Sequence, residues 1–364
     1  MQGDTSPVST TQEAQPEVKN TAQVPQQPLV APQTPSNPTL SQKPKKRLKT
    51  KVLIVLIISL ALIGLGIAGY FYFNRERFVV KSGVINKDEV WSGKIHVTGD
   101  IDVMEGVTLT ILPGTIVKVA LTDDQHKGSG EPQTDIYFPK DPPFYHNEKI
   151  TITIHGTLNA VGTPDNKIIF TSISENPTTY DWWGIDIFHG RLEYAIVEYG
   201  QGNIGIQQSS DVVIANNIIR NGLGCCIGIG HSNQVSPQIL NNEIYNCGHE
   251  GIDLAGGSAI IKGNYFYLGD RSLQPDPPRG GLGMVVYKNT YPTIEDNVFE
   301  RLTTAIYFHA NSKYPEEQGE KVIVKDNRIE NNVIAFGIDS DYLFEVVVRE
   351  NNKLIGNRED ETHR

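Results

Sequence analysis

The chain has 364 residues with 34 glycines, 21 prolines and three cysteines, a composition unlike that of a helical protein. Its formal net charge is −10, yet residues 1–51 carry seven Lys and Arg against three Asp and Glu, so the acidity belongs to the rest of the chain. An acidic body argues against nucleic-acid binding, which needs Lys and Arg to displace phosphate counterions. Neutral saccharides, cations such as Ca²⁺, or no ligand at all remain compatible with it.

Residues 1–51 predict a disordered cytoplasmic tail that ends in a basic cluster. The first 42 residues are rich in Pro, Gln, Thr and Ser and hold few large apolar side chains. Such a segment cannot bury enough surface to offset its chain entropy. The run KPKKRLKTK at 43–51 then brings six basic residues directly before an apolar segment.

Residues 52–73, VLIVLIISLALIGLGIAGYFYF, form an uncharged run of 22 residues. About 20 such residues cross a bilayer as a helix, and the heavier basic cluster stays in the cytoplasm. The segment therefore predicts a single-pass anchor in the cell membrane, with the N-terminus inside and the body outside. The alternative is a cleaved signal peptide, with Gly66 and Ala68 at small-residue cleavage positions. The long N-terminal region and the long apolar run favour the uncleaved anchor.

Residues 95–357 repeat one short plan, with 74–94 as a linker and cap before it and 358–364 as a charged tail after it. Short β-rich runs alternate with Gly, Asn and Pro, and no long helical period appears. A clear unit is PQILNNEIYNCGHEGIDL at 237–254, and its second Asn recurs at intervals of 22 to 33 residues. The recurring asparagines are Asn217, Asn242, Asn264, Asn297, Asn327 and Asn352.

This repeat predicts a β-solenoid, in which each coil buries its apolar residues only by stacking on its neighbours. An asparagine at a corner between strands tolerates left-handed or bent backbone geometry. Its amide also reaches the asparagine one coil above or below, about 4.8 Å away. We therefore expect the six asparagines to form a vertical ladder.

Two upstream runs carry a family resemblance: IHVTGDIDVMEGVTLTILPGTIVKVA at 95–120 and ITITIHGTLNAVGTPDNKIIFTS at 150–172. Together with the Asn repeats, they resemble the pectin-lyase-like right-handed parallel β-helix superfamily over about residues 80–357. The resemblance implies an all-β, right-handed parallel β-helix. With the repeats and the N-terminal segments already described, the chain is predicted to form about ten such coils, preceded by one transmembrane helix and the disordered tail. Such motifs specify fold strongly and function weakly.

A candidate binding face lies on the strand of each coil that opens with Gly-Ile or an equivalent pair. Because inward and outward side chains alternate, stacking predicts one outward column on this face. That column is Asp186, Gln207, Gly230, Asp253, Val285, Tyr307 and Asp339. The neighbouring column includes Tyr287 and His309, and Trp182 and Trp183 come just before the first strand of the series.

Aromatic rings and carboxylates on a shallow floor suit a sugar chain, because its C–H faces stack on rings while its hydroxyls bond to acids and amides. The face therefore predicts binding of a saccharide or envelope polymer, and the alternative is an ordinary solvated sheet. The predicted ligand-binding residues are Trp182, Trp183, Asp186, Gln207, Asp253, Tyr287, Tyr307, His309 and Asp339.

Glu250 and Asp253, with His249 beside them, are the candidate catalytic residues. Two carboxylates near a cleft are what glycoside hydrolysis requires. CGHEG at 247–251 only echoes the Gly-His-Gly run of glycosidases in the resembled superfamily, and their set of Asp motifs is absent. Binding without catalysis is therefore favoured. The alternatives are a lyase or glycoside hydrolase acting on an acidic polysaccharide, and a structural stalk or adhesin.

The histidines are scattered without tight ligand spacing, so neither a Zn or Cu site nor any other cofactor is expected. A loosely held Ca²⁺ near Asp339 and Asp341, or near Asp123 and Asp124, is one hypothesis for these acidic residues. The alternative is that they belong to solvated acidic loops.

Cys225, Cys226 and Cys247 lie one coil apart in the repeat. Adjacent coils place Cα atoms within the roughly 4.4–6.8 Å that a disulfide needs. An extracytoplasmic location would permit a Cys226–Cys247 bond. The alternative is three small core residues.

Overall fold

The structure is a computed structural model that describes residues 47–73, 77–122, 149–207, 211–230, 235–270, 272, 280–310, 320–339 and 347–363. The chain divides into two compact units, residues 1–74 and residues 75–364. Most of the predicted tail and the Ca²⁺ candidates Asp123, Asp124 and Asp341 lie outside the described residues.

The described part of the first unit, residues 47–73, forms the α-helix α1, which spans Arg47–Phe73. It begins inside the basic cluster, and its apolar side chains from residue 52 to residue 67 are exposed. Among the described residues, no helix has the length and apolarity needed to cross a membrane. The predicted segment 52–73 is helical, whereas its crossing of a membrane stays a prediction.

The described residues of the second unit form 28 strands, which pair in parallel with strands one coil away. In chain order the strands are β1 (Val79–Ile85), β2 (Glu89–Trp91), β3 (Lys94–Val103), β4 (Thr108–Ile111), β5 (Ile116–Val119), β6 (Thr151–Val161), β7 (Ile168–Ser172), β8 (Gly184–Glu193), β9 (Ala195–Glu198), β10 (Ile204–Gln207), β11 (Val213–Ala215), β12 (Ile218–Arg220), β13 (Ile227–Gly230), β14 (Gln238–Leu240), β15 (Glu243–Tyr245), β16 (Glu250–Leu254), β17 (Ile260–Lys262), β18 (Tyr265–Tyr267), β19 (Leu282–Tyr287), β20 (Thr293–Glu295), β21 (Val298–Glu300), β22 (Thr304–His309), β23 (Val322–Lys325), β24 (Arg328–Glu330), β25 (Ile334–Ile338), β26 (Val347–Glu350), β27 (Lys353–Ile355) and β28 (Glu359–His363).

Three stacks of strands, called faces 1, 2 and 3, enclose one core. The long strands β1, β3, β6 and β8 turn a corner and contribute to two faces each. Face 1 stacks β1, β3, β6, β8, β10, β13, β16, β19, β22, β25 and β28. Face 2 stacks β2, β4, β6, β8, β11, β14, β17, β20, β23 and β26. Face 3 stacks β1, β3, β5, β7, β9, β12, β15, β18, β21, β24 and β27.

The core consists of inward columns of apolar side chains that continue from coil to coil. On face 3, the column follows the residue two positions after each ladder asparagine. It passes through Ile219, Ile244, Phe266, Phe299 and Ile329, all of which are buried. The rings of Phe266 and Phe299 stack with their centroids 4.7 Å apart. Like residues thus pack on like residues, which is the parallel-coil packing that the repeat predicts.

The predicted asparagine ladder is present at the corner between faces 2 and 3. The Oδ1 of Asn242 accepts the backbone N–H of Asn217 at 2.9 Å and its side-chain N–H at 3.0 Å. Each rung down to Asn352 repeats this pair of bonds. Every ladder amide from Asn217 onward also donates to a backbone carbonyl, as Asn217 does to Leu192 at 2.9 Å. A buried amide would be costly alone, and the ladder satisfies its polar atoms.

The left-handed backbone at this corner belongs to the residue before each ladder asparagine. Asn216 has φ of 60° and Asn241 has φ of 55°. In the other ladder coils this place is taken by Gly263, Asp296, Asp326 and Asn351, all with positive φ. The expectation that the ladder asparagine itself could adopt this geometry was wrong. The preceding residue turns the chain, and the side-chain amide of the ladder asparagine then points along the stack toward the next coil.

Both ends of the β-helix differ from the predicted boundaries. β1 pairs with β3 in parallel, so regular coils begin at residue 79 within the predicted linker and cap. At the other end, the predicted charged tail forms β28, which pairs with β25. Glu359, Glu361 and His363 align there with Ile334, Phe336 and Ile338 of β25, respectively. Charged side chains therefore occupy the inward positions of the last described strand of face 1.

Cys226 and Cys247 form a disulfide, with their Cα atoms 5.5 Å apart. It joins the segment before β13 to the segment before β16, one coil further on. The predicted pairing is confirmed, and Cys225 keeps its thiol.

Candidate functional site

Face 1 carries the candidate site, but its register differs from the predicted one. The observed outward column is Asp186, Gly205, Gly228, Asp253, Val285, Tyr307 and Gly337. Gln207 and Gly230 pair with each other two residues further along, as do Tyr287 and His309. Gln207, Gly230 and Asp339 therefore do not belong to the column of Asp186. The Gly-Ile pair precedes the outward residue in some coils, whereas in others the glycine is the outward residue.

Two of these outward glycines leave room for a neighbouring polar or aromatic side chain. A Cβ on Gly205 would lie 2.1 Å from Oδ1 of Asp186, and a Cβ on Gly337 would lie 2.6 Å from the Tyr307 ring. The Tyr307 ring therefore lies across Gly337, and its hydroxyl donates to the Asp339 carboxylate. The glycine determines where this ring can lie.

A cleft of about 180 Å³ opens on face 1 where β16, β19 and β22 lie side by side. A second cavity of about 180 Å³ adjoins it toward β25 and β28. The two cavities share Leu282 and Tyr307, so Tyr307 stands between them. The residues that line the first are His249, Glu250, Leu282, Val285, Tyr287, Tyr307 and His309. The residues that line the second are Leu282, Thr304, Tyr307, Ile334, Gly337 and Thr362.

Three rings form the wall of the first cleft. Tyr287 and His309 stack with centroids 4.8 Å apart and planes 13° from parallel, and Tyr307 meets His309 edge-on at 5.9 Å. The rings stand on a small apolar cluster that contains Ala255 and Val285. The wall is therefore apolar at its base and polar at its ring edges.

Asp339 holds two of these rings in place. Its carboxylate accepts the Tyr307 hydroxyl and, at 2.9 Å, the backbone N–H of Ala310. The Nδ1 of His309 lies 3.3 Å from the same carboxylate.

The end of the cleft at Glu250 is acidic, and the Cys225 thiol, which is outside the disulfide, lies beside this carboxylate. The Cys225 thiol donates to Oε1 of Glu250 at 3.1 Å, and its sulfur lies 3.9 Å from Oδ2 of Asp253. One ligand atom each from Cys225, His249 and Glu250 all lie within 4.8 Å of one another. Burial raises the pKa of the Cys225 thiol well above its usual range, and the carboxylates of Glu250 and Asp253 raise it further. Without a bound cation the thiol therefore keeps its proton at neutral pH.

The predicted site residues divide into two groups. Glu250, His249, Tyr287, Tyr307 and His309 line the cleft together. Asp339 contacts the cleft residue Tyr307 directly. Asp253 lies next to the Cys225 thiol, which in turn contacts the cleft residue Glu250.

The other predicted ligand-binding residues lie away from the cleft. Asp186 and Gln207 contact each other at 3.4 Å on earlier coils of the same face. Trp182 is fully buried and donates its indole N–H to the Glu198 carbonyl at 2.9 Å, so its assignment to the binding face was wrong. Trp183 is partly buried at the start of the same series.

Sequence reasoning missed Cys225 as a neighbour of His249 and Glu250. Cys225 precedes Glu250 by 25 residues, which is also the interval between the ladder residues Asn217 and Asn242. The coil interval, rather than short-range ligand spacing, is the signal that places these side chains together.

A family model described as "Right handed beta helix region" matches residues 144–267 and 202–360. Two solved structures of PfbA, a surface adhesin of Streptococcus pneumoniae, are similar to the chain. One is 13% identical with a TM-score of 0.33, and covers 80% of this chain and 86% of that chain. The other is 12% identical with a TM-score of 0.26, and the match covers 79% of this chain and 91% of that chain. No curated protein sequence matches significantly. Because the family model covers more than half of the chain, this protein belongs to the right-handed β-helix family.

Proposed function

We propose that the cleft on face 1 binds an extended carbohydrate of the cell surface or envelope without cleaving it. The observation that carries this proposal is the convergence of Tyr287, Tyr307 and His309 on one cleft with Glu250. Flat rings offer stacking surfaces to the C–H faces of a sugar, and the acid and ring edges accept or donate hydrogen bonds to its hydroxyls.

The direction of the cleft supports a chain rather than a single sugar. The cleft and the second cavity that adjoins it together extend from β16 through β19, β22 and β25 to β28. Five neighbouring strands at about 4.8 Å spacing give a length of about 19 Å along the stack. The ring of Tyr307 stands near the middle, where it would contact a ligand lying in both cavities.

We also propose that α1 anchors the protein in a cell membrane with the β-helix outside. The supporting observations are the uncharged run 52–73, the six basic residues before it and the helical state of Arg47–Phe73. Alkaline carbonate extraction tests the anchor, because a spanning helix stays with the membrane pellet. Release of the chain into the supernatant would favour a cleaved signal peptide.

A glycan array probed with the purified full-length protein tests the carbohydrate proposal. Tyr307→Ala should weaken binding to the array ligands by about 10-fold, as expected for the loss of about 1–1.5 kcal/mol of ring stacking. Tyr265→Ala is the matched control, since Tyr265 is a partly buried tyrosine on face 3. An array without signal for the wild type, or an equal loss in both variants, would remove the proposal and favour a structural stalk.

The rival function is polymer cleavage at the same cleft. Glu250 lines the cleft and Asp253 contacts the same thiol, so two carboxylates lie close together. The described residues that line the cleft include Glu250 but not Asp253, which favours binding over hydrolysis. Incubation with pectate, alginate and related polymers, with and without Ca²⁺, separates the two. New reducing ends would indicate a hydrolase, and new unsaturated ends would indicate a lyase.

A further inference from the structure

The acidic end of the cleft brings together three side chains of three different ligand types. Cys225, His249 and Glu250 offer one sulfur, one nitrogen and one oxygen atom, mutually within 4.8 Å. Two of the three, His249 and Glu250, also line the cleft. Carbohydrate binding does not require a thiol beside a buried carboxylate, so this cluster needs a separate explanation.

We propose that Cys225, His249 and Glu250 bind a borderline-soft divalent transition metal, with Zn²⁺ as the best match. Zn²⁺ takes thiolate, imidazole and carboxylate ligands in a tetrahedral arrangement, and open sites use three protein ligands. Mg²⁺ and Ca²⁺ prefer oxygen ligands alone, so a set that contains sulfur and nitrogen discriminates against them.

Asp253 completes the surroundings of the site. Its Oδ2 lies 3.9 Å from the Cys225 sulfur, which places a second carboxylate next to the thiol. It either supplies a fourth ligand or adds negative charge beside the bound cation. Binding replaces the Cys225 thiol proton with the metal, so one proton passes to the buffer for each ion bound.

The β-helix positions these ligands before a metal arrives. Gly248 donates its N–H to the Gly222 carbonyl at 2.9 Å, and His249 donates to the Gly224 carbonyl at 3.1 Å. The Cys226–Cys247 disulfide cross-links the same two segments. It lies one residue after the thiol ligand and two residues before the imidazole ligand. The two ligand-bearing segments are therefore held in register by backbone bonds and by a covalent bond.

Titration of the full-length protein with Co²⁺ tests this site without reference to any activity. Co²⁺ bound by a thiolate gives a near-ultraviolet sulfur-to-metal charge-transfer band. Added Zn²⁺ should then displace the Co²⁺ ion, and the band should disappear. We expect one ion per chain, a band from Co²⁺, and no displacement by excess Mg²⁺ or Ca²⁺. Calorimetry in buffers of different ionisation enthalpy should report release of one proton.

Variants decide whether the named residues hold the ion. Cys225→Ser should abolish the charge-transfer band, and His249→Ala should lower Zn²⁺ affinity by more than roughly 100-fold, since outer-sphere partners alone are worth 10- to 100-fold. His189→Ala is the control, because His189 is an exposed histidine that is paired with Asp211 on face 2, at an earlier coil. Circular dichroism of each variant checks that the coils remain folded.

Three results would overturn the assignment. They are a Co²⁺ complex without the charge-transfer band, a Cys225→Ser variant that retains it, and equal losses of affinity in the His249 and His189 variants. Each result is independent of glycan binding. A protein that fails on the array can still bind the metal, and the reverse also holds.

Discussion

At the scale of single residues, each ladder asparagine depends on the next one. Asn242 is 1% exposed, and its Oδ1 accepts both N–H groups of Asn217. Its own amide donates to the Ile214 carbonyl and to Asn264. A substitution here therefore leaves donors and acceptors unsatisfied on both neighbouring coils.

Asn242→Ala should lower the free energy of unfolding by about 3 kcal/mol, because a buried donor left without an acceptor costs about 1–3 kcal/mol. Urea unfolding followed by circular dichroism measures the change. Asn352→Ala is the control, since it removes the last, half-buried rung and should cost less. Equal costs at the two positions would mean that the ladder does not act as a chain of dependent bonds.

The Cys225 thiol should make stability depend on pH. Its pKa is raised in the folded protein, by burial first and by Glu250 next. Above the usual thiol pKa of about 8.5, the unfolded chain loses this proton while the folded chain keeps it. Stability is thus fully present below that pH and falls above it, by at most about 1.4 kcal/mol per pH unit.

Unfolding of metal-free protein between pH 7 and 10 measures this slope. Cys225→Ser removes the titrating group, so its curve should be flatter than that of the wild type. Parallel curves for the two proteins would show that other groups cause the pH dependence.

The ladder was predictable from sequence because one residue type recurs at one place in every coil. The face-1 register was not, because the Gly-Ile pair occurs in two structural settings. Gly251 lies two residues before the outward Asp253, whereas Gly337 is itself the outward residue beneath Tyr307. The contact that separates these settings comes from an adjacent coil, which a local pattern does not contain. Trp182 was misassigned for the same reason, since its partner Glu198 lies in the following coil.

At the scale of elements, covalent and hydrogen-bonded links fix adjacent turns against each other. The disulfide joins positions 21 residues apart in sequence. The same turns carry the cleft residues His249 and Glu250. This part of the molecule is therefore reinforced where the candidate site needs fixed geometry.

Removal of the disulfide, by Cys226→Ser together with Cys247→Ser, should lower the free energy of unfolding by about 3 kcal/mol, the chain-entropy estimate for a loop of this length. Urea unfolding with and without reductant measures it: the reductant should shift the wild type toward the double variant and leave the double variant unchanged. Cys225→Ser is the matched control, because it removes a thiol outside the bond and should keep the sensitivity to reductant. A double variant as stable as the wild type would contradict the expected role of the cross-link.

At the scale of the whole β-helix, the last described strand of face 1 brings charge into the inward column. The inward column of face 1 runs through Ile252, Met284, Ile306 and Phe336 and then reaches Glu361. A carboxylate in the line of the core disfavours the addition of another apolar coil. Charged, inward-pointing residues are a common protection of exposed sheet edges.

Glu361→Ile together with His363→Ile should promote end-to-end association of the β-helix. The changes extend the apolar column to the open edge, so a second chain can pair there. Sedimentation velocity over a range of concentrations measures the association. Glu105→Val with Glu175→Val is the control, since both residues lie in exposed turns away from the edge strand. Equal sedimentation of the two double variants would count against the protective role of β28.

The repeating contact between neighbouring asparagines has a consequence for how such a molecule changes over generations. Each rung requires only one like rung on either side, so duplication of a whole coil would supply its own partners and leave the chemistry of the stack intact. The stack of strands on face 1 would then lengthen or shorten in steps of one strand spacing, about 4.8 Å. Related chains can therefore be expected to differ in length by whole coils, with each added coil inherited as a complete unit.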